Sequence, residues 1–292
     1  MKVLAANSDG CQVCDGDVRG YRHAWLFRCM DCGVLSANSQ VSIPMEISDA
    51  GLDEAAREVG LASLRRRNNS RILAALRQLA PARARLLDVG SGPGFLLADA
   101  AAAGFQAQGV EPDANVLRPA ERGAPPVRHG YFPDVLGREE QFDVIVFNDV
   151  LEHIPRLART LQACLARLAP GGVLCLNCPD QHGFFFRTAT LLDRLGIRGP
   201  YDRLWQRGLP SPHVWYFTPD LLDRAASVAG LTPVRRVRLA TIEPAGLWSR
   251  IRSVRDASLA VSMASYVFSL AVYPLLRLLP SDATACFYTR PA

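Results

Sequence analysis

The residues best suited to bind a nucleotide-like ligand are three glycines that follow an aspartate. Residues 86–94 contain an apolar run that ends in Asp88, after which glycines recur as Gly90, Gly92 and Gly94. Glycine adopts backbone conformations that other residues avoid and lets a ligand approach the main chain closely. The pattern predicts a strand, a tight turn and a helix N-terminus, whose free N–H groups favour an anionic group. It departs from the dinucleotide fingerprint G-x-G-x-x-G, because the third glycine comes one residue early.

A second carboxylate stands where a ribose could be held. Glu111 ends the next apolar run, 23 residues after Asp88. A carboxylate at that strand end can accept hydrogen bonds from both ribose hydroxyls. We therefore predict a cofactor site formed by Asp88, Gly90, Ser91, Gly92, Gly94, Glu111 and Pro112.

A third apolar run, within residues 142–154, reads as a buried parallel strand and carries Asn148 and Asp149 at its end. Open α/β sheets bind ligands at that edge, so both residues join the predicted cofactor site.

A catalytic base that removes a proton from a substrate near neutral pH needs a pKa close to 7, and histidine is the side chain that best supplies it. The candidates are His153, His182 and His213. We favour His182 or His213, because His153 directly follows Glu152 and suits a structural position beside the cofactor.

Four early cysteines have the spacing of metal ligands. Cys11 and Cys14 form one C-x-x-C pair, Cys29 and Cys32 form a second, and fourteen residues separate the pairs. This arrangement predicts a tetrahedral structural zinc site in a small ribbon. With four protein ligands the metal has no open position, so we expect it to hold the fold. The remaining cysteines, 164, 175, 178 and 286, are interpreted as buried small hydrophobic residues.

Length and charge restrict the class of protein. The chain has 292 residues, of which 49% are hydrophobic, and a formal net charge of +5. This length allows one large domain with an appendage. Arginine and acidic residues are interspersed, so nucleic acid is not an expected partner, and the arginine runs at 65–67, 235–238 and 250–255 are interpreted as solvated faces. Residues 1–10 have no apolar stretch typical of a secretory signal, so we expect a cytoplasmic protein.

The elements that must position these residues follow an α/β pattern, in which apolar strands alternate with helices. Strands are predicted near 85–89, 106–110, 126–129, 142–147, 172–177, 232–239 and 283–290. Helices are predicted near 95–103, 113–121, 156–168 and 218–229, and two helices within 51–80. Residues 179–216 are rich in aromatic side chains and too long for a simple connection, so we interpret them as a lid over an acceptor; the alternative is a satellite hydrophobic cluster.

The segment 257–276 contains no charged residue and reaches the length of a membrane span. The strand at 283–290 must nevertheless return to the same sheet as 232–239, which a complete span would prevent. We therefore expect a helical insertion at 250–280, with peripheral contact between 256–280 and the inner membrane face. The alternatives are a helix buried on the domain or in a homodimer.

Several motifs together carry a resemblance to a known family. The pattern D-x-G-x-G-x-G over 88–94 resembles the first motif of class I S-adenosylmethionine-dependent methyltransferases. Residues 149–154, Asp-Val-Leu-Glu-His-Ile, and residues 212–219 resemble the ubiquinone-methyltransferase-like branch. The resemblance implies S-adenosyl-L-methionine as cofactor and a Rossmann-like seven-stranded sheet with an antiparallel last strand. It also implies an acid near the adenine after the third strand, for which Asp134 is the candidate here.

These inferences combine into a domain plan and a function. We predict a zinc ribbon over 1–35, a linker and cofactor-capping helices over 36–84, and the methyltransferase domain over 85–292. The expected reaction is O-methylation of a sugar, glycan or lipid-linked small molecule with a histidine base. The alternatives are a C- or N-methyltransferase acting on a sugar or natural-product intermediate, and a noncatalytic cofactor-binding scaffold.

Overall fold

The computed structural model describes residues 10–41, 53–117, 123–209, 211–253 and 258–291. It contains two β-sheets with helices packed around the larger one. The strands are β1 (Val18–Tyr21), β2 (His23–Cys29), β3 (Leu35–Ala37), β4 (Arg85–Val89), β5 (Gln106–Glu111), β6 (Val127–His129), β7 (Phe142–Asn148), β8 (Leu168–Pro179), β9 (Trp215–Tyr216), β10 (Thr232–Arg238) and β11 (Ala283–Thr289). The helices are α1 (Glu54–Leu79), α2 (Phe95–Ala102), α3 (Leu157–Arg167), α4 (Phe184–Arg194), α5 (Gly199–Leu204), α6 (Pro219–Val228), α7 (Leu247–Arg252) and α8 (Leu259–Val272).

The larger sheet has seven strands in the order β10-β11-β8-β7-β4-β5-β6. Strands β8, β7, β4, β5 and β6 pair in parallel, whereas β11 lies antiparallel between β8 and β10. The expected Rossmann-like sheet with an antiparallel last strand is thus confirmed. The order reverses at β4, so the carboxyl ends of β4 and β7 lie side by side at the edge where such sheets bind ligands.

Burial on both faces explains why the central strands read as continuous apolar runs. Val144, Ile145, Val146 and Phe147 of β7 are fully buried. Alternate side chains of a strand point to opposite faces, so one half of this set packs beneath each helical layer. The core therefore lies on both sides of β7 and fixes the position of the polar residues that follow it.

The smaller sheet, in the order β1-β2-β3-β9, joins the N-terminal ribbon to the lid region. Its last strand comes from residues 215–216, which pair antiparallel with β3 through Leu35 and Ser36. Leu26 and Leu35 of the ribbon share one apolar cluster with Tyr201 and Trp205 of the lid region. The ribbon and the lid region are therefore packed as one layer.

Two predicted helices differ from the structure. Residues 51–80 contain one continuous helix from residue 54 to 79 rather than two, because the side-chain amides of Asn68 and Asn69 in its middle donate to the Ala240 carbonyl and the Asp99 carboxylate. Residues 113–117 form turns rather than the start of a helix, and 118–121 lie outside the described residues. The predicted linker at 36–50 overlaps β3 at its start, and its part from 42 onward also lies outside the described residues.

Helix α8 has an unusual distribution of side chains. Its inward face presents Ser262 and Ser269, which are buried, whereas the outward face exposes apolar residues. Those outward residues are Leu259, Val261, Met263, Val267, Phe268 and Leu270. A helix on the surface of a globular protein in water normally turns its apolar side chains inward and its polar side chains outward. Among the described residues, no helix is both long and apolar enough to span a bilayer.

Candidate cofactor and acceptor site

The glycine turn after β4 is built by backbone conformations that only glycine adopts without strain. Gly90, Gly92 and Gly94 all have positive φ, at 71°, 51° and 85°. A Cβ atom added at residue 90 would lie 2.7 Å from Val150 Cγ2, so this glycine also permits close packing. A Cβ atom at residue 92 would meet no protein atom within 4 Å. The turn therefore leaves open space at its tip, as a ligand site requires.

The predicted ribose acid lies directly over this turn. Oε2 of Glu111 accepts a hydrogen bond from the Gly92 N–H at 2.8 Å, and Oε1 accepts one from the Asp113 N–H at 2.9 Å. Glu111 and Asp88 are both buried, at 7% and 3% exposure. Burial raises the pKa of Asp88 to about 8, and the neighbouring Glu111 charge adds to the shift. Two carboxyl groups thus sit beside one glycine turn.

The residues of this turn fit S-adenosylmethionine by their polar groups. The hydroxyl of Ser91 is buried without a hydrogen-bond partner among the described residues. Buried polar groups normally have partners, so an unpaired hydroxyl within the glycine turn is consistent with a ligand site. Pro112 continues the chain after Glu111, and its carbonyl lies 3.1 Å from Nε2 of His129.

The end of β7 holds a strained acidic residue. Asp149 has a φ of 58°, a left-handed conformation that is uncommon outside glycine. The Asn177 side-chain amide donates to Oδ1 of Asn148 at 2.8 Å and to Oδ1 of Asp149 at 2.9 Å. Burial raises the pKa of Asp149 although solvent still reaches its side chain, as expected of a group inside a cleft. The sequence did not single out Asn177, which lies in the otherwise apolar second half of β8.

Beyond Asp149, three titratable side chains cluster. One donor atom from each of Glu152, His153 and His213 lies within 4.8 Å of the others, which is a spacing that a divalent cation could also use. The His153 and His213 rings meet edge to face with centroids 4.8 Å apart. The backbone supports this contact, because Val214 N–H donates to the Glu152 carbonyl at 2.8 Å. Burial raises the pKa of Glu152, and the Asp149 charge adds to the effect.

The hydrogen bonds of His153 define its tautomer. Nδ1 lies 3.0 Å from the carbonyl oxygen of Pro212, which can only accept, and 3.2 Å from the Ser211 hydroxyl oxygen, which can also accept. Both contacts are satisfied when Nδ1 carries the proton. In the neutral ring Nε2 then holds a free electron pair. Burial lowers the pKa of His153, and the positive charge of Arg57 lowers it further. His153 therefore combines a neutral ring with a basic atom.

The other two candidate histidines have different surroundings. His213 is 6% exposed, and its Nε2 lies 2.9 Å from the Gln206 side-chain amide nitrogen. His182 is exposed near the start of α4, where its backbone N–H donates to Oδ1 of Asp180 at 2.8 Å. Asp134 is also exposed, in the turn that follows β6. The structure thus brings His153 and His213 together, while His182 and Asp134 lie on exposed turns.

The N-terminal cysteines form a compact cluster. One sulfur from each of Cys11, Cys14, Cys29 and Cys32 lies within 4.8 Å of the others. Sγ atoms of Cys11 and Cys32 are 3.6 Å apart, and those of Cys14 and Cys29 are 3.5 Å apart. Backbone N–H groups of Val13 and Cys32 approach the sulfurs of Cys11 and Cys29, as in cysteine knuckles. Four sulfurs in this arrangement fit a zinc ribbon.

Comparison with known families decides the classification. The family model described as "Methyltransferase domain" matches residues 61–236, which is more than half of the chain. The chain belongs to the methyltransferase domain family. The matched region of this methyltransferase domain includes the glycine turn, Glu111, Asp149 and His153. The expected resemblance to class I methyltransferases is confirmed.

Several curated relatives carry the name ubiquinone biosynthesis O-methyltransferase, and two of them illustrate the similarity. The protein from Psychrobacter arcticus is 31% identical over 161 residues, covering 51% of this chain and 59% of the relative. The protein from Dinoroseobacter shibae is 28% identical over 190 residues, covering 62% and 72%. The chain thus spans about three fifths of the length of the Psychrobacter relative.

Solved structures share the fold at low sequence identity. The cyclopropane synthase MmaA2 from Mycobacterium tuberculosis superposes with a TM-score of 0.55 at 18% identity, covering 84% of this chain and 95% of that one. A SAM-dependent methyltransferase from Thermotoga maritima gives 0.51 at 16% identity, covering 79% and 92%. At these identities the likeness concerns the fold alone.

Proposed function

We propose that this methyltransferase domain transfers a methyl group from S-adenosylmethionine to a hydroxyl oxygen of a small acceptor. One observation carries the proposal: His153 presents a neutral, basic Nε2 at the carboxyl end of β7, beside the strand that leads into the glycine turn. The relatives named as O-methyltransferases support oxygen as the methylated atom.

In this mechanism the protein binds the cofactor, aligns the acceptor with the methyl group and deprotonates the acceptor hydroxyl. The Gly92 turn and Glu111 hold the cofactor, whose sulfonium supplies an already electrophilic methyl group. Nε2 of His153 accepts the proton of the acceptor hydroxyl, and Pro212 fixes the ring in the required tautomer. Proton removal of this kind contributes typically about 10²–10⁴-fold to a rate, and alignment supplies further acceleration.

This assignment changes the preference drawn from the sequence, which favoured His182 or His213. His213 is nearly inaccessible, and burial lowers its pKa well below the usual range, so it is better suited to support the His153 ring. His182 lies on an exposed turn next to Asp180. We keep a sugar, a glycan or a lipid-linked small molecule as the acceptor class, but the aromatic side chains Tyr201, Trp205 and Tyr216 do not support it, because they are buried against the ribbon.

The four-cysteine cluster is proposed to bind one structural zinc ion. The support is the mutual distance of the sulfurs and the fact that all four ligand positions are protein-supplied. Cys11, Cys14, Cys29 and Cys32 would hold the metal at the base of the β1–β2 hairpin. Because β3 pairs with β9, the metal would also fix the register of the lid region.

The outward face of α8 is proposed to lie on the inner membrane surface. Its exposed apolar residues form a continuous stripe, and Phe268 lies near Phe184 at the start of α4. Arg252 and Arg277 are exposed and lie on either side of α8 in the sequence, and positive charge there suits an anionic lipid surface. Arg255, which precedes α8 in the sequence, lies outside the described part of the chain. The alternative is that the same stripe forms the interface of a homodimer. A sedimentation experiment distinguishes this interface from membrane contact.

The methyl-transfer proposal is tested with purified protein, labelled S-adenosylmethionine and a small-molecule extract. The expected result is one labelled product in which mass fragmentation places the methyl group on oxygen. A label on carbon or nitrogen would instead assign the C- or N-methyltransferase reaction. Cofactor binding without any labelled product from extract or from an acceptor panel would favour the noncatalytic scaffold.

A further inference from the structure

Arginines from three separate helices converge on the candidate acceptor site. Arg57 belongs to α1, Arg203 to α5 in the lid region, and Arg250 to α7. Helices α1 and α7 touch at the backbone, since a Cβ atom at Gly60 would lie 2.5 Å from the Arg250 nitrogen. This contact brings the arginines of the two helices to the same place.

The charge of Arg57 reaches both histidines of the site. Burial is the main cause that lowers the pKa of His153 and of His213, and the Arg57 charge lowers each further. Arg57 is also a cause of the lowered pKa of Arg203, after burial. The backbone places Arg203 beside the same pair, because the His213 N–H donates to the carbonyl of Trp205, two residues after Arg203, at 3.1 Å, and the His213 ring contacts that of His153.

Two of these arginines have no carboxylate partner within the described residues. Arg203 makes no hydrogen bond or ion pair there, and Arg250 donates to the carbonyl of Thr241 at 2.8 Å. Burial lowers the pKa of Arg250 to about 10, and repulsion from Arg203 and Arg57 adds to this, while Asp149 acts in the opposite direction. The positive charge of the three arginines thus exceeds the negative charge of Asp149.

The same two arginines remain open to solvent. Arg203 is exposed and Arg250 is half-buried, although burial is the first cause of both pKa shifts. A side chain that solvent reaches, but whose pKa is lowered by burial, lines a cleft rather than a packed core. Holding guanidinium groups together is unfavourable by itself, and a ligand with opposite charge relieves the repulsion. S-adenosylmethionine carries one carboxylate but is a net cation at neutral pH, so it can pair with at most one of the three guanidinium groups and leaves the others without an opposite charge.

We infer that the methyl acceptor carries an anionic oxygen group, a carboxylate or a phosphate, which binds to Arg203 and Arg250. The inference rests on the proposed function, because it describes the acceptor of that same site. Guanidinium groups bind both anions through paired hydrogen bonds, so the chemistry is shared. The anion would hold the acceptor so that its hydroxyl faces Nε2 of His153.

Calorimetry with simple anions tests this inference. Benzoate represents the carboxylate and pyrophosphate the phosphate, and each is titrated into protein with and without S-adenosylhomocysteine. We expect saturable binding of one of them, weakened about 10- to 100-fold in Arg203→Gln and Arg250→Gln. Arg203→Lys should retain part of the affinity. Arg198→Gln, an exposed change at the start of the same helix, should bind like the wild type.

The outcomes separate this inference from the proposed function. Failure of both anions to bind, or equal binding by the wild type and Arg203→Gln, would overturn the anionic acceptor. Arg203 is the decisive position because it is exposed, so its variant should keep the wild-type melting temperature even if Arg250→Gln unfolds. Absence of S-adenosylhomocysteine binding would contradict the methyltransferase proposal, while the anion titration without it still tests the arginines.

Discussion

The backbone N–H of Gly92 donates to Oε2 of Glu111 at 2.8 Å, so the carboxylate that ends β5 is joined to the tip of the turn that follows β4. The two residues are far apart in sequence, and parallel pairing of their strands brings them together. This link places the candidate ribose acid and the open tip of the turn in one site. Cofactor affinity should therefore be sensitive to either residue.

Replacing Glu111 with alanine should weaken S-adenosylmethionine binding by about 2–3 kcal/mol, because charge-assisted hydrogen bonds are lost. Gly92→Val should do the same, since a side chain would fill the open space at the turn and a β-branched residue disfavours its φ of 51°. Calorimetry measures both affinities. Glu139→Gln, an exposed acid away from the turn, is the control, and wild-type affinity in both site variants would refute the assignment.

Turnover should depend on pH through His153. Its pKa is lowered by burial and by Arg57, so the ring stays neutral as the pH falls through the usual histidine range. The rate should accordingly be constant from neutral pH to below about pH 6.5 and decline only under more acidic conditions. His153→Gln should lower turnover by roughly 10²–10⁴-fold and remove this decline, with cofactor affinity unchanged.

His182→Gln provides the matched comparison, because that ring is exposed on a turn beside Asp180. It should keep near-normal turnover and the wild-type pH profile. If His182→Gln is impaired while His153→Gln is active, the base is His182 and the preference drawn from the sequence is restored.

The cysteine cluster should hold about one zinc ion per chain when the protein is purified without added metal. Elemental analysis of the wild type and of Cys14→Ser measures this, and the variant should contain little zinc and melt at lower temperature. Cys164→Ala removes a buried thiol outside the cluster and should keep its metal. A wild-type protein that is folded and free of metal would rule out the site.

The apolar face of α8 should bind anionic vesicles in a salt-sensitive way. Val267 and Leu270 are 58% and 36% exposed, so changing both to aspartate should release the protein from vesicles without lowering its melting temperature. Co-sedimentation with phosphatidylglycerol vesicles is the measurement. Val228→Asp introduces one aspartate at an exposed site on α6, is compared with Val267→Asp alone, and should leave binding intact.

Two results would contradict membrane contact. One is a wild-type protein that stays in the supernatant with vesicles. The other is a dimer in analytical ultracentrifugation that the two aspartates dissociate, which would assign the stripe to a second copy of the chain.

Features with a local signal were predictable from the sequence. Strand β4 matches its predicted bounds, and β5 extends its prediction by one residue, because an apolar run followed by glycine or by a charged residue marks a strand end. The positions of Asp88 and Glu111 follow directly from those ends. The predicted helix at 113–121 failed at its start, where Asp113 accepts from the Asn115 N–H and stabilises a turn.

Features that depend on distant packing were not predictable. His153 and His213 meet only because residues 212–217 return along the turn at 151–153. Arg203 and Arg250 fall in a lid and in a surface-like arginine run, and no local pattern indicates that they share a cleft. The single α1 helix depends in the same way on partners of Asn68 and Asn69 that lie elsewhere in the fold.

Strand β9 makes the ribbon and the acceptor side one cooperative folding unit. Trp215 and Tyr216 complete a sheet begun by residues 18–37, and His213 stands two residues before that edge. Proteolysis or truncation at residue 35 would therefore strip the hydrogen-bonding partner from β9 and open the cluster around Trp205. Loss of the N-terminal segment would therefore loosen the contact between His153 and His213, far in sequence from the cleaved peptide bond.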